Sequence, residues 1–94
     1  VQGRVYVDEG AHRALTEQGK SLLPAGVTRV EGRFEVGAAV TVIAPDGREF
    51  ARALTNYSSS DIARIQGRKT REIAAVLGRK DFDEVAHRDN VVLL

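Results

Sequence analysis

Few residues in this chain are equipped for chemistry, and their spacing limits what they could do. There is no cysteine, which removes a thiol nucleophile, a disulfide and a thiolate metal site, and leaves the redox compartment unmarked. The two histidines, His12 and His87, fall on separate elements, and neither has a carboxylate at a spacing that would fix it as a base partner. Ser58-Ser59-Ser60-Asp61 stands where a helix needs a cap, so these groups read as capping groups rather than nucleophiles. Asp81, Asp83, Glu84 and Asp89 are acidic, yet the calcium-loop pattern, with oxygen ligands and a glycine at set positions, fails after Asp83. A solvated acidic face is the reading that remains. No set of nucleophile, base and orienting group can be assembled, so these residues are expected neither to catalyse nor to hold a cofactor or metal.

Gly19-Lys20-Ser21 has the look of the end of a phosphate-binding loop. That loop needs a glycine five residues earlier, where Ala14 stands, and a following helix whose amides face the phosphate. Here Pro24 and a β-branched run follow instead. The triplet makes better sense as a helix-to-strand corner. Gly19 suits the left-handed residue after a helix, and Pro24 keeps Leu23 extended. Such a corner leaves Lys20 and Ser21 at the surface and turns Leu22 and Leu23 toward a core. A second basic feature spans residues 64–80, where Arg64, Arg68, Lys69, Arg71, Arg79 and Lys80 oppose only Glu72. The acidic stretch that follows partly neutralises it. With a net charge of +1, bulk charge does not argue for nucleic acid or an anionic membrane.

The elements that must position these residues are short. Gly3 to Val7 alternates as a half-buried strand, with Val5 and Val7 inward. Asp8 caps a helix whose Ala11, Ala14, Leu15 and Gln18 share a stripe, with His12, Arg13 and Glu17 outward. Val27 to Gly32 is a strand with broken alternation, which predicts a bulge. An inner strand around Val40 and Val42 turns at Pro45-Asp46-Gly47 into an antiparallel return over Arg48 to Asn56, with Phe50 and Leu54 on one face. Ile62 and Ile65 mark one short helix, stopped by Gly67. Thr70 caps another, bearing Ile73, Val76 and Leu77, and Gly78 ends it. Val91 to Leu94 reads as a final strand buried on both faces, closing a small barrel against the opening strand. The chain is expected to be one domain, residues 1–94, and, lacking an initial methionine, a piece of a longer protein. No apolar run approaches the roughly 20 residues of a membrane span, so no membrane partner is expected.

Val7-Asp8-Glu9-Gly10-Ala11, the stretch Gly19 to Val27, Val30-Glu31-Gly32-Arg33-Phe34 and the Gly37 to Val40 approach resemble, in this order, the PUA domain. That is the small pseudo-barrel of pseudouridine synthases and archaeosine transglycosylases. Asn56-Tyr57-Ser58-Ser59 and His87 to Leu93 resemble more narrowly the PUA domains at the C-terminus of bacterial glutamate 5-kinases. One position departs: Ala38 follows Gly37 where the family usually has an acidic residue. The resemblance implies a mainly β fold with short helices (α+β), a PUA-like pseudo-barrel of about six short mixed strands. It implies a cytoplasmic parent enzyme that phosphorylates the glutamate side-chain carboxylate with ATP and magnesium, the first step of proline synthesis. The catalytic domain is then absent from these residues.

In RNA-binding PUA domains the ligand lies along the first helix, the corner and the closing strand. The matching positions are Arg13, Lys20, Ser21, Leu22, Leu23, His87 and Arg88. Structured RNA read by shape, phosphate and 2′-hydroxyl contacts is the partner this implies. Only Tyr6 and Tyr57 offer rings for base stacking. The alternative is an architectural or regulatory module without RNA, packed on its own kinase domain or a neighbouring subunit.

Overall fold

The computed structural model describes residues 1–94. Strand β1 (Gly3–Val7) buries Val5 and Val7 and turns Arg4 and Tyr6 to the other face. Asp8 then caps helix α1 (Glu9–Glu17) by accepting the Ala11 amide at 2.8 Å, and Leu15 sinks into the core. Gly19 follows with a φ of +59°, and the Lys20 amide reaches back to the Ala14 carbonyl at 3.0 Å. A 3-10 turn over Pro24–Gly26 delivers the chain to β2 (Val27–Gly32). A Cβ on Gly26 would lie 2.5 Å from the Ala11 Cβ, so the turn lies directly on the small-residue face of α1.

Strand β2 runs antiparallel to β1. Val7 pairs with Val27 and Tyr6 with Arg29, leaving Thr28 as the extra residue of the bulge that the broken alternation predicts. Strand β3 (Ala39–Ile43) lies parallel to β1 on its other side. The Pro45-Asp46-Gly47 turn brings β4 (Glu49–Leu54) back antiparallel, with the Asp46 carboxylate accepting the Arg48 amide at 3.0 Å. The last strand, β5 (Val91–Leu93), pairs with β4, giving a five-stranded mixed sheet in the order β2-β1-β3-β4-β5. A sixth strand is replaced by an isolated antiparallel bridge between Leu22 and Ala86.

Between β4 and β5 lie α2 (Ser59–Ile65), a 3-10 turn (Thr70–Glu72) and α3 (Ile73–Leu77). Ser58 caps α2, accepting the Asp61 amide at 3.2 Å, while Ser59 turns inward and accepts the Phe34 amide at 3.1 Å. Ile62, Ile65 and Ile73 join Val5, Val42 and Leu15 in one buried cluster.

Several expectations change. The closing strand is not buried on both faces: Val92 and Leu94 are each 65% exposed. Nor does it close against the opening strand, because both edges of β1 are already occupied by β2 and β3, and β4 offers the free side. In β4 the bulge opposite Val42 and Ile43 buries both Phe50 and Ala51, while Leu54 is exposed. His12 does not face outward freely; its ring packs edge-on against Phe50 with centroids 4.5 Å apart. Thr70 does not cap its helix. Its hydroxyl donates to the Asp83 carbonyl, and the Glu72 carboxylate takes the Lys69 amide instead, at 2.9 Å.

Candidate nucleic-acid interface

The corner after α1 is fixed by contacts distant in sequence. The Leu22 amide donates to the Ala86 carbonyl at 2.9 Å, and the Leu22 carbonyl accepts the Val85 amide at 2.8 Å. One residue earlier, the Ser21 hydroxyl accepts the Arg88 amide at 2.9 Å across 67 positions of chain. These bonds bring Lys20, Ser21, His87 and Arg88 together although the sequence keeps them far apart. His87 begins a 3-10 turn, Arg88–Asn90, and its Nδ1 accepts the Asp89 amide at 3.1 Å.

A groove of about 450 Å³ opens between α1 and this corner. Its floor is small: Gly10, Ala11, Ala14, Ala25 and Gly26. Lys20, Ser21 and Leu23 also line it, together with the acidic residues Asp8 and Glu84. The two leucines of the corner part company. Leu22 is 2% exposed and pins the corner to the core, so its side chain is withdrawn from the interface expected of it. Leu23 is 46% exposed and available. Arg13 stands on the outer side of α1, outside the groove, with its Nε 3.5 Å from the Glu9 carboxylate. The small floor residues and Glu84 were missed from sequence. The Ala11, Ala14 and Gly26 pattern is the signal that could have found the floor, whereas Glu84 arrives by the long-range bridge.

The basic run over residues 64–80 does not form a phosphate track. Arg64 donates to the Val76 carbonyl. Arg68 pairs with Glu72 at 3.5 Å, Lys80 with Asp83 at 3.0 Å, and Arg79 bridges Asp61 at 2.7 Å and Asp81 at 3.0 Å. The hydrogen bonds to Asp61 and then Asp81 push the Arg79 pKa up, so this cation is committed to its partners. The Lys69 amide, reinforced by Arg68, holds the Glu72 carboxyl below its ordinary value. Lys69 and Arg71 are left without a carboxylate partner.

Neither tyrosine offers a free ring. Tyr57 is 1% exposed, and its hydroxyl both accepts the Phe82 amide at 2.9 Å and donates to the Phe82 carbonyl. Tyr6 lies beneath the Arg29 guanidinium, 4.0 Å from the ring centroid. The tyrosines therefore supply no stacking platform, and the exposed aromatic ring is instead that of Phe82, 46% exposed.

The model of the PUA domain matches residues 3–77. The chain belongs to the PUA domain family. This PUA domain is 53% identical over all 94 residues to the glutamate 5-kinase of Moorella thermoacetica. It is 55% identical over 92 residues to that of Pelobacter propionicus. The chain spans about a quarter of the length of either relative, 25% in each case. Among solved structures, a PUA domain from Aeropyrum pernix, crystallised as a tartrate complex, superposes with a TM-score of 0.65 at 30% identity, over 69% of this chain and 35% of that one. A chain of the archaeal box H/ACA sRNP complex superposes over 99% of this domain and 23% of its own length, with a TM-score of 0.62. At 11% identity, that likeness speaks for the fold alone.

Proposed function

We propose that this PUA domain is the C-terminal module of a cytoplasmic glutamate 5-kinase, and that it presents the Lys20 corner as a docking ledge for structured RNA. The parent role rests on identity above one half along the whole chain to enzymes of that name. In such a parent, ATP and magnesium serve phosphoryl transfer to the glutamate side chain in proline synthesis. The Gly19-Lys20-Ser21 triplet runs into the Leu22 bridge rather than a helix, so it lacks the helix N-terminus that a phosphate-binding loop needs.

The observation that carries the RNA reading is the Ser21–Arg88 bond, which ties the segment of His87 and Arg88 to the corner of Lys20 and Ser21, two of the residues that line a groove beside α1. Exposed cations on a rigid corner suit phosphates, and the groove gives room for a single unpaired base. Titration of the domain with a structured RNA at low salt should give saturable binding that weakens as salt rises. A linear, unsaturable response up to high concentration would remove the reading.

The sequestered tyrosines and the two acidic residues that line the groove favour a second reading, an architectural module without RNA. Removing the module from the full-length enzyme would then change its subunit number or the cooperativity of its kinetics, while unchanged mass and kinetics would count against it.

A further inference from the structure

The two edges of the sheet are treated differently. The β2 edge carries the Thr28 bulge and the charged Arg29 and Glu31, and the Gln66 side chain reaches across to the Thr28 carbonyl. These are the devices that stop an edge from pairing with stray strands. The β5 edge carries no bulge and no charged side chain, and its one such device is its length of three residues. Val91-Val92-Leu93-Leu94 contains no charge, no proline and no bulge, and three of its side chains are large, apolar and exposed. Exposed Leu54 of the neighbouring β4 adds to the same region. The Leu94 amide donates to the Phe50 carbonyl, so by the alternation of an antiparallel ladder the Leu93 amide points away from β4, toward the open edge.

We propose that the β5 edge is the surface on which this module docks onto the remainder of its own longer chain, a strand of that remainder pairing with Leu93 and covering Val92, Leu93 and Leu94. The inference rests on the reading that the module ends a glutamate 5-kinase. Two features choose this occupant over a second copy. Relatives more than half identical throughout are four times as long, so a large covalently joined body is at hand. A strand of three residues is too short to approach the roughly 800 Å² per partner of a stable free interface, whereas a tethered partner at millimolar effective concentration needs far less.

The test is amide exchange in the full-length enzyme. The Leu93 amide should exchange at least about tenfold more slowly than an unpaired edge amide, independently of protein concentration. The double substitution Val92→Lys with Leu94→Lys should abolish that protection. Both positions are exposed, and unchanged protection at Ala51 in β4 would show that the domain remains folded. An unprotected Leu93 amide overturns the proposal. Protection that fades on dilution overturns it in favour of a second copy, and protection that survives the double substitution shows that the apolar face is not what docks. If the residues preceding Val1 encode no kinase domain, the underlying reading fails. If they do encode one and Leu93 is unprotected, only the docking proposal fails.

Discussion

Gly26 and Ala11 meet where the corner lies on α1, and the fit leaves no room for a side chain. A Cβ at Gly26 would sit 2.5 Å from that of Ala11, so Gly26→Ala must push the turn off the helix. Overpacking of this kind costs about 1–3 kcal/mol, and the denaturation midpoint should fall accordingly. Gly10→Ala is the matching control. Its Cβ meets nothing closer than 3.5 Å, and the residue is helical, so the variant should gain about 0.5–1 kcal/mol. Glu72 offers a test by pH. The Lys69 amide, and then Arg68, lower its pKa from the ordinary 4.5. A depressed carboxyl stabilises the fold above the unfolded-state pKa, and this stabilisation is lost as the pH falls through the lower folded value. Glu72→Gln should therefore lower stability slightly near neutrality and leave it unchanged well below pH 4.5. An NMR titration of the Glu72 side chain and denaturant melts at both pH extremes check the two halves of the claim.

At the scale of elements, the corner tests how one residue of register separates core from interface. Leu22 is locked by the Ala86 bridge, and Leu23 is left in the groove wall. Leu22→Ala should cost about 2–5 kcal/mol in chemical denaturation. Leu23→Ala should stay within about 0.5 kcal/mol, as exposed substitutions do, while altering whatever the groove binds. This pair also marks what the sequence could and could not reveal. Pro24 and Gly19 made the corner legible, and the Val27 to Val30 spacing announced the bulge, because both are local backbone effects. Which leucine turns inward depends on Val85 and Ala86, more than sixty residues away, and no local pattern carries that information. The same limit explains β5. Its apolar run reads as buried, yet strand order is set by which edges remain free, and β4 offered only the outermost place. Capping behaved likewise: Asp8 and Ser58 were readable, whereas Thr70 was drawn away by the Asp83 carbonyl of a distant loop.

For the whole molecule the question is whether charge is focused or merely present. The net charge is only +1, and much of the basic run is consumed by Glu72, Asp61, Asp81 and Asp83. Non-specific attraction for polyanions should therefore be feeble, and any RNA binding must come from the few cations that the fold leaves free. Near the corner these are Lys20, which lines the groove, and Arg88 of the segment tied to Ser21, with Arg13 partly held by Glu9. Two or three phosphate contacts correspond to a slope of about −2 to −3 in log K against log salt. Lys20→Ala should make that slope shallower by about 0.7–0.9, the share of one phosphate contact, and weaken binding evenly across RNA sequences. Arg71→Ala, which removes a cation with no carboxylate partner from the segment between α2 and α3, should leave the slope unchanged. Equal losses from both variants would mean that the charge acts diffusely and that the corner confers nothing beyond its share of the total. A loss confined to Lys20 would mean that the corner, which the Ser21–Arg88 bond ties to the closing segment, gives an almost neutral domain a directed grip on anions.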